Sequence, residues 1–230
     1  MKPNNISQHV RFASIAKPFI FLIMSWIVYV LCSDRFIEPF SIIYFCLIIV
    51  NTIILSFIMD KSLINERASI KENTNKNDII YALIVGRIGP LLILIVSGLD
   101  NRFIWTAQFP LYVKIVSILI MIISLLLTDW AVVVNRYFSG VVRIQKERGH
   151  KVITNGPYKI VRHPGYLGTI IYSVVTPLLL NSSWGIIPAI LVVIITGIRT
   201  KKEDEYLRNE LKDYKEYCEK VKYKLIPYIW

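Results

Sequence analysis

The chain alternates long apolar runs with short, charged connections. Phe40–Met59 carries no charge, Ile79–Ser97 is interrupted only by Arg87, and Leu111–Val134 only by Lys114 and Asp129. Each meets the roughly 20 residues that a helix needs to cross a hydrocarbon core of about 30 Å. Pro18–Cys32 is shorter and spans once Phe12–Ala16 joins it. It ends in Tyr29-Val30-Leu31-Cys32, which offers neither a small-x-small cleavage site nor the small residue that precedes a lipidated cysteine, so it reads as a first transmembrane helix. A further apolar segment, between Tyr166 and Arg199, is broken into two arms by Asn181-Ser182-Ser183-Trp184. At a rise of about 1.5 Å per residue each arm is roughly 22 Å long, which fits either two short spans or a helical hairpin that dips into the bilayer. Both return the chain to the side it left, bringing His163–Tyr166 close to Arg199–Glu203. The predicted fold is all-α and polytopic, with four transmembrane helices in residues 1–134 and the hairpin, or two short spans, in residues 135–230.

Beyond the hairpin the period changes. Leu207, Leu211, Tyr214, Cys218 and Val221 recur at spacings of four, three, four and three, one apolar stripe on an otherwise charged helix that Pro227 ends. Such a helix can lie on the membrane surface, cap a site formed by the preceding loop, or pack as a solvated helix on the bundle. Lys222, Tyr223, Lys224, Tyr228 and Trp230 fit an interfacial anchor.

Composition agrees with the pattern: 54% of residues are hydrophobic and the mean hydropathy is +0.51. The net charge of +11 would suggest nucleic acid in a soluble protein, but here its distribution matters more. Lys2, Arg11 and Lys17 precede the first span; Lys61, Arg67, Lys71 and Lys76 follow the second; Arg136, Arg143, Lys146, Arg148, Lys151, Lys159 and Arg162 follow the fourth. The stretch from Arg199 to Trp230 adds nine more, whereas the alternate connections hold only Arg35 and Arg102. The positive-inside rule therefore puts both termini in the cytoplasm, and no nucleic-acid signature accompanies the charge.

Several chemistries drop out. Cys32, Cys46 and Cys218 show no CxxC and no metal-ligand spacing, His9 sits without partner residues nearby, and no GxGxxG or Walker loop occurs, so no metal site is expected. Lys61–Asp78, the longest polar connection on the cytoplasmic side, can cover a site, although an ordinary charged loop is the favoured reading. Arg87 inside the third span can snorkel, pair with Asp129, or line an acceptor's path, in that order.

The candidate chemistry is concentrated in Arg143-Ile-Gln-Lys-Glu-Arg-Gly-His150, in Gly156-Pro-Tyr-Lys-Ile-Val-Arg-His-Pro-Gly-Tyr-Leu-Gly168 and in Arg199–Glu203. Gly156-Pro157 on its own is a turn, Pro164 a helix start, and Lys159 and Arg162 positive-inside anchors. The combination of cations, tyrosines, a carboxylate and close-approach glycines nevertheless suits a polar zwitterionic cofactor, and it lacks the partnered nucleophile or paired acids of a hydrolase. Arg199 and Glu203, four apart on one helix face, either pair with each other or point into one cavity.

These blocks resemble the catalytic region of the isoprenylcysteine carboxyl methyltransferase family. The likeness is carried by Arg143-x-Gln145-x-Glu147-Arg148-Gly149-His150-x-Val152, by Gly156-Pro-Tyr-x-x-Val-Arg-His-Pro-x-Tyr-x-Gly168, by Arg199-x-x-x-Glu203 and by the closing Leu225-Ile-Pro-x-x-Trp230, in that order across Asn135–Trp230. Glu66-Arg67 and the Lys71–Asp78 loop are similar to bacterial members. The resemblance implies an S-adenosyl-L-methionine-dependent methyltransferase without a Rossmann domain, releasing S-adenosyl-L-homocysteine, with residues 135–230 as the catalytic, cofactor-binding region. It implies cofactor contacts from His150, Lys151, Val152, Ile153, Tyr158, His163, Pro164, Gly165, Tyr166 and Glu203, and a further polar contact from Arg143 or Gln145. Arg199 would meet the acceptor, and His163 or Glu203 would be the base for an amine or phenol acceptor.

The chain departs from the family in three places: Glu203-Asp204 stands at the paired acids, Lys212 replaces a common glycine, and Lys224 the usual arginine before Leu225-Ile-Pro. The Ile- and Lys-rich chain points to a prokaryote, and so to a small lipophilic acid, lipid or isoprenoid as acceptor, reached from the bilayer. A sterol-reductase-like NADPH-dependent membrane reductase and a non-catalytic lipid-binding protein are the competing functions.

Overall fold

The computed structural model describes residues 4–68 and 76–230. Lys2 and Lys71 of the basic pattern, and residues 69–75 of the long connection, lie outside the described residues. The chain forms α1 (Asn4–Ser33), α2 (Pro39–Ile58), α3 (Lys61–Ala68), α4 (Lys76–Leu83), α5 (Gly89–Phe103), α6 (Leu111–Val134), α7 (Pro164–Leu179), α8 (Ile186–Glu210) and α9 (Tyr214–Lys220). One π turn, Ile84–Ile88, joins α4 to α5, and 3₁₀ turns lie at Lys146–Arg148 and Gly156–Lys159. No strand occurs among the described residues. Ala16–Ser33, Pro39–Ile58, Asp78–Phe103 and Leu111–Val134 are long and apolar enough to cross a membrane, as the hydropathy pattern predicts. The protein is a multi-pass integral membrane protein.

Local chemistry sets the helix ends. Pro39 opens α2, where its missing N–H is no loss, and the Glu38 carboxylate accepts the Ser41 N–H at 2.5 Å. Asp60 does the same for α3 by accepting the Ser62 N–H at 2.7 Å. α3 replaces the expected charged loop. Leu63 and Ile64 are buried, and α3 packs along α1, which gives this short helix a tertiary reason to form.

The third span runs past Ser97 to Phe103, because its polar end is buried rather than solvated. The Asp100 carboxylate accepts hydrogen bonds from Thr106 N (2.7 Å), Thr106 Oγ1 (2.7 Å), Ser182 Oγ (2.6 Å) and Trp184 N (3.3 Å). Asn101 Nδ2 donates to Leu180 O at 2.6 Å, and Phe109 N donates to Asn181 Oδ1 at 2.6 Å. The 181–184 turn thus reaches the α5–α6 connection. α6 and α7 share the most extensive interface, made possible at Gly168, where a Cβ would stand 2.1 Å from Thr128 Oγ1.

The predicted C-terminal helix is two helices. α8 continues to Glu210, the chain breaks at Leu211–Asp213 with Asp213 at φ 66°, and α9 resumes. The stripe survives the break, since Leu207, Leu211, Tyr214, Cys218 and Val221 all pack with Ala131 and Tyr158. Of the three placements open to this stripe, the structure takes the one over the loop that follows α6.

Candidate functional site

Between α6 and α7 the chain runs without long helices from Asn135 to His163 and wraps the end of the bundle. Its course is fixed by side chains that serve as struts. Tyr137 donates its hydroxyl to Gly149 O at 2.7 Å while its ring stacks on His150 at 4.4 Å between centroids. Gly149 sits at φ 61°, a conformation that costs a residue with a Cβ about 1 kcal/mol or more. Tyr158 accepts from Asn135 Nδ2 at 3.1 Å, and its carbonyl accepts from the Tyr217 hydroxyl at 2.6 Å, which ties α9 over the loop. Gly165 lets the Phe138 ring close in, to 2.6 Å of where a Cβ would be. These contacts enclose a cavity of about 430 Å³.

Four carboxylates organise the cations around it. Asp204 accepts from Arg162 at 2.7 and 3.0 Å, from the Tyr214 hydroxyl at 3.1 Å, and lies 3.2 Å from His163 Nε2. Burial opposes the charge on Asp204, but the His163 and Arg162 contacts prevail and hold its carboxyl well below the usual range. Arg162 also donates to Val221 O and Lys222 O, and the backbone N–H groups of Arg162 and His163 donate to Tyr223 O and Lys224 O, so the C-terminal segment straps the motif in place. Arg143 makes a two-pronged pair with Glu66 of α3 at 2.6 and 2.8 Å and also meets Glu147. Asp78 grips Arg199 at 2.8 and 3.0 Å and accepts from Val142 N at 2.6 Å. A further donor–acceptor pair, from the Tyr166 hydroxyl to Glu203 Oε2 at 2.5 Å, leaves Glu203 as the carboxylate that lines the cavity.

Protonation states follow from these surroundings. Burial, and after it the positive charges of Arg148 and Arg143, push His150 down to about 4, so the ring is neutral at physiological pH. It accepts the Gln145 N–H on Nδ1 at 3.2 Å. Burial likewise raises the Tyr158 phenol, which stays a neutral donor.

Of the residues expected at the site, Arg143, His150, Lys151, Val152, Ile153, Tyr158, His163, Gly165, Tyr166, Arg199 and Glu203 line this one cavity. Gln145 does not: its amide is fully buried, donating to Tyr137 O at 2.8 Å and accepting from Arg148. Pro164 stands behind the wall as the first residue of α7. Arg199 and Glu203 share the cavity without pairing with each other, the second of the two arrangements that their spacing allows. Arg87 lines the cavity with its guanidinium 4.3 Å from the Phe21 ring centre, while Asp129 accepts instead from Asn51 Nδ2 at 3.3 Å. The wall also draws on Leu55, Arg67, Ala82, Val85, Thr128 and Val132, outside the 135–230 region. Asp78 was missed; its one signal was an acid placed at the start of a span.

Comparison with known proteins agrees with the motifs. Residues 107–209 match the family model of the isoprenylcysteine carboxyl methyltransferase (ICMT) family. A "Probable protein-S-isoprenylcysteine O-methyltransferase" of Oryza sativa subsp. indica is 35% identical over 113 residues, 48% of this chain and 59% of the rice protein. "Protein-S-isoprenylcysteine O-methyltransferase B" of Arabidopsis thaliana is 31% identical over 126 residues, 54% of this chain and 60% of that protein. The mouse "Delta(14)-sterol reductase TM7SF2" is 28% identical over 96 residues, 40% of this chain and 23% of the reductase. The chain spans less than two thirds of the length of these relatives. The family resemblance read from the motifs is thus borne out over residues 107–209, which hold the blocks from Arg143 to Glu203.

Proposed function

We propose that this chain is an integral membrane methyltransferase that uses S-adenosyl-L-methionine to methylate a lipophilic acceptor, with a carboxylate as the group methylated. The observation that carries this reading is a single cavity lined both by polar groups, Tyr158, His163, Tyr166 and Glu203 among them, and by apolar ones, Leu55, Val85 and Val132 among them. A water-soluble cofactor and a lipid can meet there. Both termini would face the cytoplasm, in a prokaryotic cell membrane, with residues 135–230 as the cofactor-binding region.

The donor set fits the cofactor. Glu203 is the carboxylate on the wall and would take an ammonium group. The neutral His150 ring, the backbone of Lys151, Val152 and Ile153, and the Tyr158 and Tyr166 rings would enclose the adenosine and sulfonium, where electron-rich faces favour a cation. When bound, S-adenosyl-L-methionine supplies a methyl group activated by sulfonium. With a carboxylate acceptor no residue of the chain would have to move a proton, since a carboxylic acid with a pKa near 4 is already ionised. The residues of this chain therefore bind, orient and exclude water, with distance between oxygen and methyl the main lever. The buried Asp204 holds His163 by its Nε2, so His163 would serve as a positioning residue on this route and as the base only for an amine or phenol.

Calorimetric titration of S-adenosylhomocysteine into detergent-purified protein tests the reading, with Glu203→Ala alongside and NADPH as control. Saturable binding that Glu203→Ala weakens by about tenfold or more is expected. Folded protein that binds NADPH and not S-adenosylhomocysteine would move the assignment to the reductase, the reading that the mouse relative favours. Binding of neither would leave a lipid-binding protein.

A further inference from the structure

The arginines of the cavity fall into two sets. Arg143, Arg162 and Arg199 are each held by a buried carboxylate, Glu66, Asp204 and Asp78 respectively. Arg199 in particular directs Nε and Nη2 at Asp78, and Nη2 also at Gly140 O (2.8 Å). The forked edge with which a guanidinium grips a carboxylate is therefore already filled. Arg67 and Arg87 differ. Both line the cavity, and among the described residues neither meets a carboxylate.

The placement of Arg87 is costly enough to need a reason. Arg87 lies inside the Asp78–Phe103 span, about 14 Å along the helix from its start, where insertion scales put the cost of an arginine at about 2.5–3.5 kcal/mol. It also sits in the π turn, a widened turn that recurs at functional sites and that here brings Ala82, Val85 and Arg87 to one cavity wall. Arg67 reaches the same cavity from α3, its guanidinium 5.9 Å from the centre of the Phe138 ring that packs on Gly165. Arg67 keeps exposed surface and lines the same cavity as Arg87. Two like charges facing one cavity repel, and an anion bound there turns repulsion into attraction for both.

We infer that Arg67 and Arg87 form an anion subsite on the wall of this cavity, and that it holds the carboxylate head group of a lipophilic acceptor. This rests on the methyltransferase reading only for the word acceptor. Leu55, Val85 and Val132 offer the apolar surface for the chain behind the head group. The subsite also explains release. Methylation converts the anion to a neutral ester, which loses its attraction to both guanidiniums, whereas Arg199 remains paired with Asp78 throughout.

The test uses the full chain in phosphatidylcholine nanodiscs, titrated with palmitic acid, methyl palmitate and S-adenosylhomocysteine and corrected for partition into empty discs. The acid is expected to bind at least about tenfold more tightly than the ester, with Arg67→Gln and Arg87→Gln each removing about tenfold from the acid alone. Unchanged S-adenosylhomocysteine binding reports that the variants are folded. Equal binding of acid and ester by the native chain, or an acid preference that survives in the double variant, would overturn the inference. So would a preference lost in Arg199→Gln and kept in the double variant, or one lost when the discs are made of phosphatidylglycerol, which would give the subsite to a lipid phosphate. If the acid preference depends on both arginines and S-adenosylhomocysteine does not bind, the subsite stands and the methyltransferase reading falls.

Discussion

The two ends of the α7–α8 hairpin are equally polar and do opposite things. At one end Asp100 gathers Thr106, Ser182 and Trp184, every hydrogen bond closing within the protein. At the other, Asp204, Asp78 and Glu66 pair with Arg162, Arg199 and Arg143 around a cavity of about 430 Å³. A dense cluster of buried polar groups is thus no sign of a site in itself. What separates the two ends is whether the satisfied groups stand in a solid wall or frame a space, and whether any group is left to face that space.

The sharpest way to break this comparison is at the framing pair. Arg162→Ala leaves the Asp204 carboxylate buried without its main partner and frees the C-terminal strap. Loss of one member of a buried pair costs about 3–5 kcal/mol. Denaturation in detergent should show a fall of that size, together with lost S-adenosylhomocysteine binding. Arg162→Met with Asp204→Leu should recover much of the stability but not the binding, because it removes the orphaned charge without restoring the strap. Equal stability of Arg162→Ala and the native chain would show that the pair is not buried as described.

At the far end, Asp100→Ala removes an acceptor of four hydrogen bonds and strands buried donors, at a cost of about 2–3 kcal/mol. The contrast lies in the second readout. The protein that remains folded should bind S-adenosylhomocysteine as the native chain does. Binding that fell in proportion to stability would mean that the far turn sets the position of Arg199 and Glu203 through α8.

A smaller effect sets the pH response of the site. His150 is depressed to about 4 by burial and the neighbouring arginines, against an ordinary value near 6.5. Between those values the unfolded chain binds a proton that the folded chain does not, so stability is full above about pH 6.5 and is lost as the pH falls towards 4. His150→Gln, which keeps a polar acceptor for the Gln145 N–H, should flatten this part of the curve, by about 3 kcal/mol at its lower end. A native curve flat across the window would refute the neutral, buried ring.

Much of this was legible in the chain. The four spans, the break at 181–184 and the motif residues follow from local pattern, because hydropathy and spacing act over one or a few turns. The partners of the cations do not. Glu66 and Arg143 are 77 residues apart, and Asp78 and Arg199 are 121 apart, so nothing local couples them. α3 was hidden because Leu63 and Ile64 give too short an apolar period to tell from a charged loop. The π turn was hidden because an apolar run reads the same in π and α geometry. The break at Leu211–Asp213 was hidden because the stripe continues across it on one packing surface.

The smallest expected effect sits beside the Asp100 cluster and bounds the comparison from below. Arg102 faces Asp34 at 3.7 Å, but the two side chains keep 43% and 75% of their surface exposed. In high dielectric such a pair gains little over its separate hydration and loses side-chain entropy in forming. Arg102→Ala should therefore change stability by no more than about 0.5 kcal/mol, and salt should shift the native chain and the variant equally. A larger loss would mean that the α1–α5 connection is held by charge. The far end would then owe its rigidity to more than the neighbouring buried carboxylate of Asp100, and the distinction between a solid polar plug and a framed cavity would have to be drawn elsewhere.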